Sequence, residues 1–437
     1  MKKTHLIFLL SILFVAVACE KNKDPEPVPE DLSKTPAYAR DSLYKLMKDW
    51  YYWYDEMPTI TKEDYPDPYL LLEALRHKPQ DKWSYVDDYD EFLAADKGAF
   101  VGHGFRIGVD NSGKARIALI FKESALYKAG VRRGWIVKKI NDVEVAPLLL
   151  NDLEGYSTLI GPAEENVSNK FLFEKPDGTE FTLTAVKSSF TLNTVLLYEV
   201  LDLKSGKTGH IVFEEFISAS EAELAEAFAY FKANNVTNII LDLRYNPGGL
   251  VSVARTLGSY IVGNTQSGEI FVKMSYNKKK KAYNSIYPFK TTTLPIGAKK
   301  VAFITSGMTA SASELVINGI KPFTQQIAII GDRTYGKPMG MNGWYCGKKY
   351  VFLPVTFKTV NSNDEGDYFE GFPADKQAID DITRDFNDPE EACLKEAISW
   401  IENGAFTSKS ATLFEKPIQV SDHNAIGNSI FFEGSQD

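Results

Sequence analysis

The chain has 437 residues, of which 44% are hydrophobic and 24% are charged, and its formal net charge at pH 7 is −9. This length is sufficient for two or three domains with a sizeable core. The negative charge argues against general affinity for nucleic acid. The one basic cluster, "KKKK" at 278–281, lies in a Tyr/Asn/Lys-rich stretch and is interpreted as a solvated loop.

The N-terminus has the layout of an export signal. A basic start precedes the apolar run Leu6–Val17, which is too short for a comfortable membrane span, and small residues precede Cys19. The ending "AVAC" resembles the bacterial lipoprotein lipobox, with Ala16 where leucine is commoner. The resemblance implies that Cys19 is acylated and anchors the protein to a membrane of the cell envelope, and the charged residues after it favour the outer membrane. Ordinary signal-peptide cleavage and a soluble secreted protein is the alternative.

The segment after Cys19 is predicted to be a tether. Residues 20–36, "EKNKDPEPVPEDLSKTP", are rich in proline and charge and cannot bury a core. Two further cysteines, Cys346 and Cys393, match no metal or redox spacing. A disulfide between them remains open.

The first folded unit is predicted to be helical. Four apolar or aromatic residues recur at helical spacing: Leu43, Met47, Trp50 and Tyr54. Pro58 is expected to mark the end of this helix, and a second helix is predicted over 67–76. The aromatic residues are expected to pack on the next domain, and a ligand-binding box is the alternative.

Residues 98–187 are predicted to form a small β-rich module, with a hairpin turn at Asp177-Gly178. The order of its elements, with "YKAGVRRGWIVKKINDVEV" at the centre, resembles a bacterial PDZ domain. Such a domain binds a peptide as an added strand and holds its C-terminal carboxylate with backbone N–H groups of a glycine-containing loop. The resemblance assigns that loop to Gly102, His103, Gly104 and Phe105. A plain β-turn without a ligand is the alternative.

The third unit alternates strands and helices. The apolar runs "VTNIILDLR", "KKVAFITS" and "QQIAIIGD" predict buried strands of a mostly parallel sheet. One helix is predicted to open with a capping box made by Ser220 and Glu223. A later helix is expected to be capped by Asp388 and ended by Gly404. The tail to Asp437 shows no clear pattern.

Ser311 lies in "TSGMTASASELVINGI", where a helix follows a buried strand. Its hydroxyl is either a helix cap or a nucleophile favoured by the helix dipole. None of the five histidines carries a motif for a partner base. Lys337 in "GDRTYGKPMG" follows another buried strand at the same predicted sheet edge. Burial would lower its pKa and allow the neutral amine to accept the serine proton.

"SASE" followed by a buried strand and "YGK" resembles the C-terminal processing peptidases, or tail-specific proteases, and the likeness extends over nearly the whole chain. The resemblance implies that Ser311 is the nucleophile and Lys337 its base. It also implies that "LDLRYNPGGL" supplies an oxyanion turn at Gly248 and Gly249, with the N–H of Ala312 as a second donor.

Two positions depart from the family pattern. Pro338 stands where the family usually has glycine, and Met341 where it has a glutamine that orients the lysine. Asn342 is the alternative orienting residue. Tricorn-like relatives use a histidine in a segment similar to "DKWSYV", and Trp83 at the matching place favours the Ser–Lys form.

The predicted fold class is α+β or α/β multidomain, with an N-terminal helical cap, a PDZ-like β module and, by resemblance, a crotonase-like ββα peptidase core. The predicted divisions are a signal peptide at 1–18, a tether at 19–36, a helical domain at 37–97, a PDZ-like domain at 98–188, a peptidase core at 189–404 and a tail at 405–437.

The function that follows is an exported, lipid-anchored serine endopeptidase acting on proteins or peptides with free C-termini. The alternative is an inactive peptide-binding envelope lipoprotein on the same scaffold. No metal, nucleotide or other cofactor is predicted, because no ligand spacing or phosphate loop is present.

Overall fold

The computed structural model describes residues 31–324, 326–407, 419–421 and 432–435. The predicted signal peptide, Cys19 and most of the predicted tether lie outside the described residues. Over the described part of the chain, no helix combines the length and apolar character needed to cross a bilayer.

The N-terminal region contains three helices and one strand. They are α1 (Pro36–Trp50), α2 (Pro68–Leu75), β1 (Tyr85–Asp88) and α3 (Tyr89–Asp96), with short 3₁₀ turns at Leu32–Lys34 and Lys62–Asp64. Thr35 and Asp67 cap the first two helices through their side-chain oxygens, and a proline follows each cap.

Helix α1 ends at Trp50, well before Pro58, so the predicted end of this helix is wrong. The next residue, Tyr51, is fully buried, and its hydroxyl donates to Asp81 at 2.7 Å. The Tyr52 N–H donates to the Val355 carbonyl at 2.8 Å. These tertiary hydrogen bonds hold Tyr51 and Tyr52 in a non-helical backbone conformation, although the helical periodicity of the sequence continues.

The next region is a β-rich module. Its elements are β2 (Ala99–Gly102), β3 (Phe105–Val109), β4 (Ala115–Ile120), α4 (Ala125–Lys128), β5 (Ile136–Ile140), β6 (Val143–Glu144), α5 (Ala146–Asn151), α6 (Leu153–Ile160), β7 (Ser168–Glu174), β8 (Glu180–Val186) and β9 (Ser188–Thr191). The antiparallel order β3-β4-β5-β7-β8 forms its sheet, β6 pairs with β5, and β2 pairs with β9. Phe105, Ile107 and Phe171 are among the residues that form its own apolar core.

The largest region alternates strands and helices. Its elements are β10 (Val195–Leu203), β11 (Gly206–Phe213), α7 (Ser220–Ala233), β12 (Asn238–Asp242), α8 (Val251–Val262), β13 (Ile270–Tyr276), β14 (Ser285–Pro288), β15 (Lys300–Thr305), α9 (Ala312–Ile320), β16 (Gln326–Gly331), β17 (Met339–Cys346), β18 (Tyr350–Leu353), β19 (Val355–Val360), β20 (Lys376–Gln377) and α10 (Ala392–Asn403). Two 3₁₀ turns, Asn264–Gln266 and Lys281–Tyr283, lie within it.

Two sheets organise this region. One has the order β10-β11-β12-β15-β16-β20, in which only β10 pairs antiparallel, so the prediction of a mostly parallel sheet is confirmed. The other has the order β1-β18-β17-β19-β13-β14. Strand β1 lies inside the segment predicted to be helical, and it joins this second sheet by pairing with β18. The whole is a mixed α/β multidomain architecture.

Among the described residues after α10, where the sequence predicted no element, there are two short strands. Strand β21 (Gln419–Ser421) pairs antiparallel with β3 of the β-rich module. Strand β22 (Phe432–Ser435) pairs parallel with β17.

Two predicted helix caps are wrong. Ser220 lies inside α7 rather than capping it, and Glu223 instead accepts from the Val195 N–H at 2.6 Å. Helix α10 begins after Glu391, whose side chain accepts from the Leu394 N–H, so Asp388 is not its cap. Glu391 is held in place by an ion pair with Arg244 at 2.9 Å, a tertiary contact that the local sequence does not reveal.

The lysine cluster at 278–281 lies in a loop in which Lys278, Lys279 and Lys281 are exposed, as predicted, but it also makes contacts with α1. Lys280 lies 2.6 Å from the Asp49 carboxylate and over the Trp50 ring, and Lys279 donates to the Lys48 carbonyl at 2.7 Å. The cluster therefore docks the end of α1 on the large region. The two cysteines whose pairing was open, Cys346 and Cys393, are both buried free thiols.

Candidate active site

Ser311 lies at the N-terminus of α9, directly after the turn that follows β15. Its backbone has φ 60° and ψ −116°, a conformation that non-glycine residues rarely adopt. Its side chain is fully buried, and its hydroxyl oxygen has no hydrogen-bond partner among the described residues. An ordinary N-cap has extended backbone and a bonded side-chain oxygen. Ser311 therefore has a strained backbone, and its hydroxyl lacks a hydrogen-bond partner within the described residues.

Glu314 connects the Ser311 turn to the Lys337 turn. One of its carboxylate oxygens, Oε2, accepts from the Ser311 N–H at 2.9 Å and from the Lys337 N–H at 2.8 Å. The other, Oε1, accepts from the Thr334 hydroxyl at 2.6 Å and the Gly336 N–H at 2.7 Å. Burial raises the pKa of Glu314, and these four donors oppose that shift. Because both turns bond to one oxygen, the two backbone nitrogens lie within 5.7 Å of each other.

The sequence argument assigned Glu314 no role. Its position three residues after Ser311 is the signal that could have found it, because an N3 glutamate commonly bonds the N-cap N–H. The structure adds that the same carboxylate reaches the next loop.

Lys337 follows β16, which pairs parallel with β15, so the prediction that both side chains arise at one sheet edge is confirmed. Its side chain is buried. Burial lowers the pKa of Lys337 to about 7, and the negative charges of Asp81 and Glu314 act in the opposite direction. A substantial fraction of the amine is therefore neutral near pH 7.

Asp81 comes from the N-terminal region and was also missed. It is buried and accepts from the Tyr51 hydroxyl at 2.7 Å, the Ser84 hydroxyl at 2.6 Å and the Ser84 N–H at 2.9 Å. Of the two negative charges that raise the pKa of Lys337, that of Asp81 has the larger effect. The segment "DKWSYV" is similar to the one in which tricorn-like relatives carry a histidine, and Trp83 there is buried.

The glycine turn at 248–249 lies against Ser311. A Cβ atom on Gly248 would be 2.7 Å from the Ser311 Cβ and 2.8 Å from the Ala312 nitrogen, and Gly248 has φ +111°. Only glycine allows this approach without a steric clash. The structure thus brings Gly248 beside Ser311 and Ala312.

The hydrogen bonds of this turn distinguish the predicted oxyanion donors. The Gly248 N–H donates to Asn246 Oδ1 at 2.9 Å. The turn pairs with Phe216 through two backbone hydrogen bonds. The Phe216 N–H donates to the Gly248 carbonyl, and the Leu250 N–H donates to the Phe216 carbonyl, so the Gly249 N–H takes no part in this pairing. The assignment of Gly248, Gly249 and Ala312 as oxyanion donors stays a prediction, with the Gly248 N–H engaged in this conformation.

The positions that depart from the family pattern are buried. Met341 packs in the apolar cluster that joins the N-terminal helices to β17–β19. The Asn342 side-chain oxygen accepts from the Thr356 hydroxyl at 2.7 Å. Pro338 precedes β17, and its carbonyl accepts from the Thr359 N–H at 3.1 Å. An orienting role for Asn342 stays a prediction.

The predicted peptide-binding loop connects β2 to β3. His103 is buried against Phe171, with ring centroids 4.9 Å apart, and its Nε2 lies 2.7 Å from Asn169 Oδ1. Burial lowers the pKa of His103 to about 4, so the ring is neutral near pH 7. Gly102 and Phe105 are the loop's strand-terminal residues, and a Cβ on Gly104 would lie 2.6 Å from the Phe190 ring. A peptide-binding role for these four residues stays a prediction.

Buried ion pairs attach the β-rich module to the segment that leads to Gly248. Arg133 of the module lies 2.7 Å from Asp380, and Arg244 lies 2.8 Å from the same carboxylate. Burial alone would raise the pKa of Asp380, but the two guanidinium groups hold it well below its usual range. Arg106 of β3 pairs with Glu214 at 2.6 Å, next to the end of β11.

No group of three or more His, Cys, Asp or Glu side chains within the described residues could hold a metal ion.

Comparison with known proteins gives a consistent result. Residues 207–372 match the model of "Peptidase family S41", and residues 39–85 match the "Peptidase S41 N-terminal domain". The first match contains Gly248, Ser311 and Lys337, and the second contains Asp81. The segment 98–188, for which a PDZ-like domain was predicted, lies between the two matches.

Curated relatives include a "Probable CtpA-like serine protease" of Staphylococcus aureus (strain N315), 22% identical over 303 residues, which covers 68% of this chain and 55% of the relative. A protein of the same name from Staphylococcus epidermidis is 24% identical over 269 residues, covering 57% and 49%. The chain thus spans about half the length of these relatives.

A solved structure of similar fold is the "Putative S41 protease" from Bacteroides fragilis NCTC 9343. It aligns with a TM-score of 0.68 at 19% identity and covers 83% of this chain and 97% of that protein.

Proposed function

Because this chain belongs to peptidase family S41, we propose that it is a serine endopeptidase in which Ser311 is the nucleophile and Lys337 the general base. One observation carries the proposal. A single oxygen of Glu314 accepts from the N–H groups of both residues, and this holds together a strained serine and a lysine whose pKa is about 7.

The chemistry follows from these groups. The neutral Lys337 amine takes the proton of the Ser311 hydroxyl as the oxygen attacks the peptide carbonyl carbon. The tetrahedral intermediate collapses to an ester on Ser311, and the Lys337 ammonium gives its proton to the departing amine. Water then attacks the ester, again with Lys337 as base, and this releases the acid and regenerates the serine.

Fixed N–H donors would stabilise the negative oxygen of each intermediate. Ala312 N–H and Gly249 N–H are the proposed pair, because the Gly248 N–H is bonded to Asn246. Gly248 then has a steric role, since any side chain there would collide with Ser311.

The substrate and the location are part of the proposal. An extended C-terminal tail of a protein would add to the edge of β3 in the PDZ-like module and continue to Ser311. The protein would be held at the cell envelope by acyl chains on Cys19, with the outer membrane as the favoured site. Replacing Cys19 with serine would release the protein into the aqueous phase of a detergent partition if this anchor exists.

The catalytic proposal is tested with a fluorophosphonate probe, which forms a covalent adduct with an activated serine. The wild-type chain should label at a single site, and Ser311→Ala should not label. Lys337→Met should label at least about a hundredfold more slowly. Ser313→Ala is the matched control, because Ser313 is the next buried serine of the same helix and its hydroxyl bonds the Asn246 carbonyl at 3.1 Å.

Labelling that persists in Ser311→Ala would contradict the assignment of the nucleophile. A wild-type chain that binds C-terminal peptides but neither labels nor cleaves an unfolded protein would instead establish the peptide-binding lipoprotein. The Ser311 hydroxyl, which has no partner within the described part of the chain, and the depressed pKa of Lys337 favour the enzyme.

A further inference from the structure

The β3 edge of the sheet in the β-rich module is paired with a later segment of the same chain, strand β21. Strand β3 has β4 on one side, and β21 pairs antiparallel with it on the other. The register places Gln419 opposite Gly108, Val420 opposite Ile107 and Ser421 opposite Arg106.

This edge is the one at which a peptide would add. Strand β3 follows the glycine-containing loop directly, and without β21 it would be the outermost strand of its sheet. An outermost strand presents a row of unpaired N–H and C=O groups, which an extended chain can satisfy. The buried side chains of Phe105 and Ile107 belong to the same apolar cluster as Leu149 of α5, so β3 is anchored in the module core.

The same tail is paired at a second place. Strand β22 lies parallel to β17, with Phe432 opposite Met341 and Ser435 opposite Gly343. Strand β17 begins just after Lys337. Ser311 itself is fully buried.

We propose that residues 419–421 are an internal ligand of the β3 edge, which a substrate tail must displace before it can dock. The inference rests on the proposed function, because it concerns the edge at which the substrate would bind. The tail is thereby a covalently attached competitor of every incoming peptide.

The expected size of the effect follows from the covalent attachment. A tethered segment competes at an effective concentration on the order of millimolar. If the segment alone binds with a dissociation constant of about 0.1 mM, an added peptide loses about tenfold in affinity, by the ratio of these two quantities. Residues 419–421 thus exclude peptides that bind β3 weakly, whereas a tail that binds β3 more tightly than 419–421 can displace them.

The test uses the full chain with Ser311→Ala, so that no peptide is cleaved. Val420→Pro removes a backbone donor and should break the pairing with β3. Val420→Ala is the matched control, because it shortens the side chain and keeps the backbone. Amide hydrogen exchange is measured over 105–109, with β8 at the other edge of the same sheet as an internal reference.

Val420→Pro should speed exchange over 105–109 at least about tenfold relative to Val420→Ala, with β8 unchanged. It should also strengthen binding of a fluorescent synthetic peptide of residues 415–424 about tenfold. Equal exchange in the two variants would overturn the proposal, as would protection of 105–109 that depends on protein concentration, since a second copy would then supply the strand. Neither measurement uses catalysis, so failure of Ser311 to label would count against the proposed function alone.

Discussion

Three glycine-containing turns of this chain each bury a polar group, and they do so with different consequences. The loop between β2 and β3 buries His103, and the turns after β15 and β16 bury Ser311 and Lys337. Burial lowers the pKa of His103 to about 4 and of Lys337 to about 7. In both places the loss of solvation disfavours the charged form.

The surroundings differ. His103 packs inside the module, with its Nε2 close to Asn169 and its ring against Phe171, so its polar group belongs to the packing of the core. Lys337 has the charges of Asp81 and Glu314 within electrostatic reach, and these moderate its pKa. The ordinary pKa values of the two groups decide the outcome. Burial moves the pKa of the imidazole from 6.5 to about 4, so the ring is neutral near pH 7, and moves the pKa of the amine from 10.5 to about 7, so the amine titrates there.

The largest expected effect is at Ser311. Ser311→Ala should lower kcat by at least roughly 10⁴-fold, because it removes the attacking oxygen, while the chain remains folded. Cleavage of an unfolded protein measures the loss, and circular dichroism checks the fold. Activity within tenfold of wild type would show that the strained turn is only structural.

The next effect is at the shared carboxylate. Glu314→Gln replaces one acceptor oxygen with an amide nitrogen that cannot accept. The remaining oxygen can serve either the N–H groups of Ser311 and Lys337 or the donors of Thr334 and Gly336, so one of these two pairs loses its acceptor. We expect a fall of roughly 10²-fold in kcat and a loss of about 1–3 kcal/mol of stability. Kinetics and denaturant unfolding measure the two. Glu223→Gln is the control for removal of a partly buried carboxylate elsewhere in the same region.

The pH dependence sharpens the contrast between the two titrating groups. Activity should rise with pH around a midpoint near 7, because only the neutral Lys337 amine is a base. Asp81 raises this pKa, so Asp81→Asn should move the midpoint to lower pH, by roughly one pH unit. The measurement is kcat/KM from pH 5 to 9, with Asp110→Asn of the β-rich module as the control. A midpoint that moves upward would contradict the assigned role of Asp81.

The smallest effect on catalysis is expected at His103. His103→Phe should leave the pH–activity midpoint unchanged, since the ring is neutral above about pH 5. The folded chain resists protonation of this ring, whereas the unfolded chain accepts a proton near pH 6.5. Wild-type stability should therefore fall as the pH falls from about 6.5 to 4, by up to about 3 kcal/mol, and the variant should lack this part of the loss. Unfolding in urea at pH 4 and pH 7 tests it.

The order of elements in the large region was predictable because it depends on local pattern. Apolar runs gave the parallel strands that precede Ser311 and Lys337, and parallel pairing places their carboxyl ends at one edge. Where tertiary bonds oppose the local pattern, prediction failed. Tyr51 ended α1 early through Asp81, and Arg244 fixed the start of α10 through Glu391.

By itself, the sequence determined the identity of the nucleophile and base candidates, their position after two buried strands, and the glycine turn that abuts Ser311. Only the tertiary structure decided that Glu314 bonds both turns, that Asp81 reaches Lys337 from the N-terminal region, and that residues 419–421 lie against β3. The physical reason is that helical and strand periodicity are local properties. Hydrogen bonds and charge interactions depend instead on through-space distance, which brings together groups that are far apart along the chain.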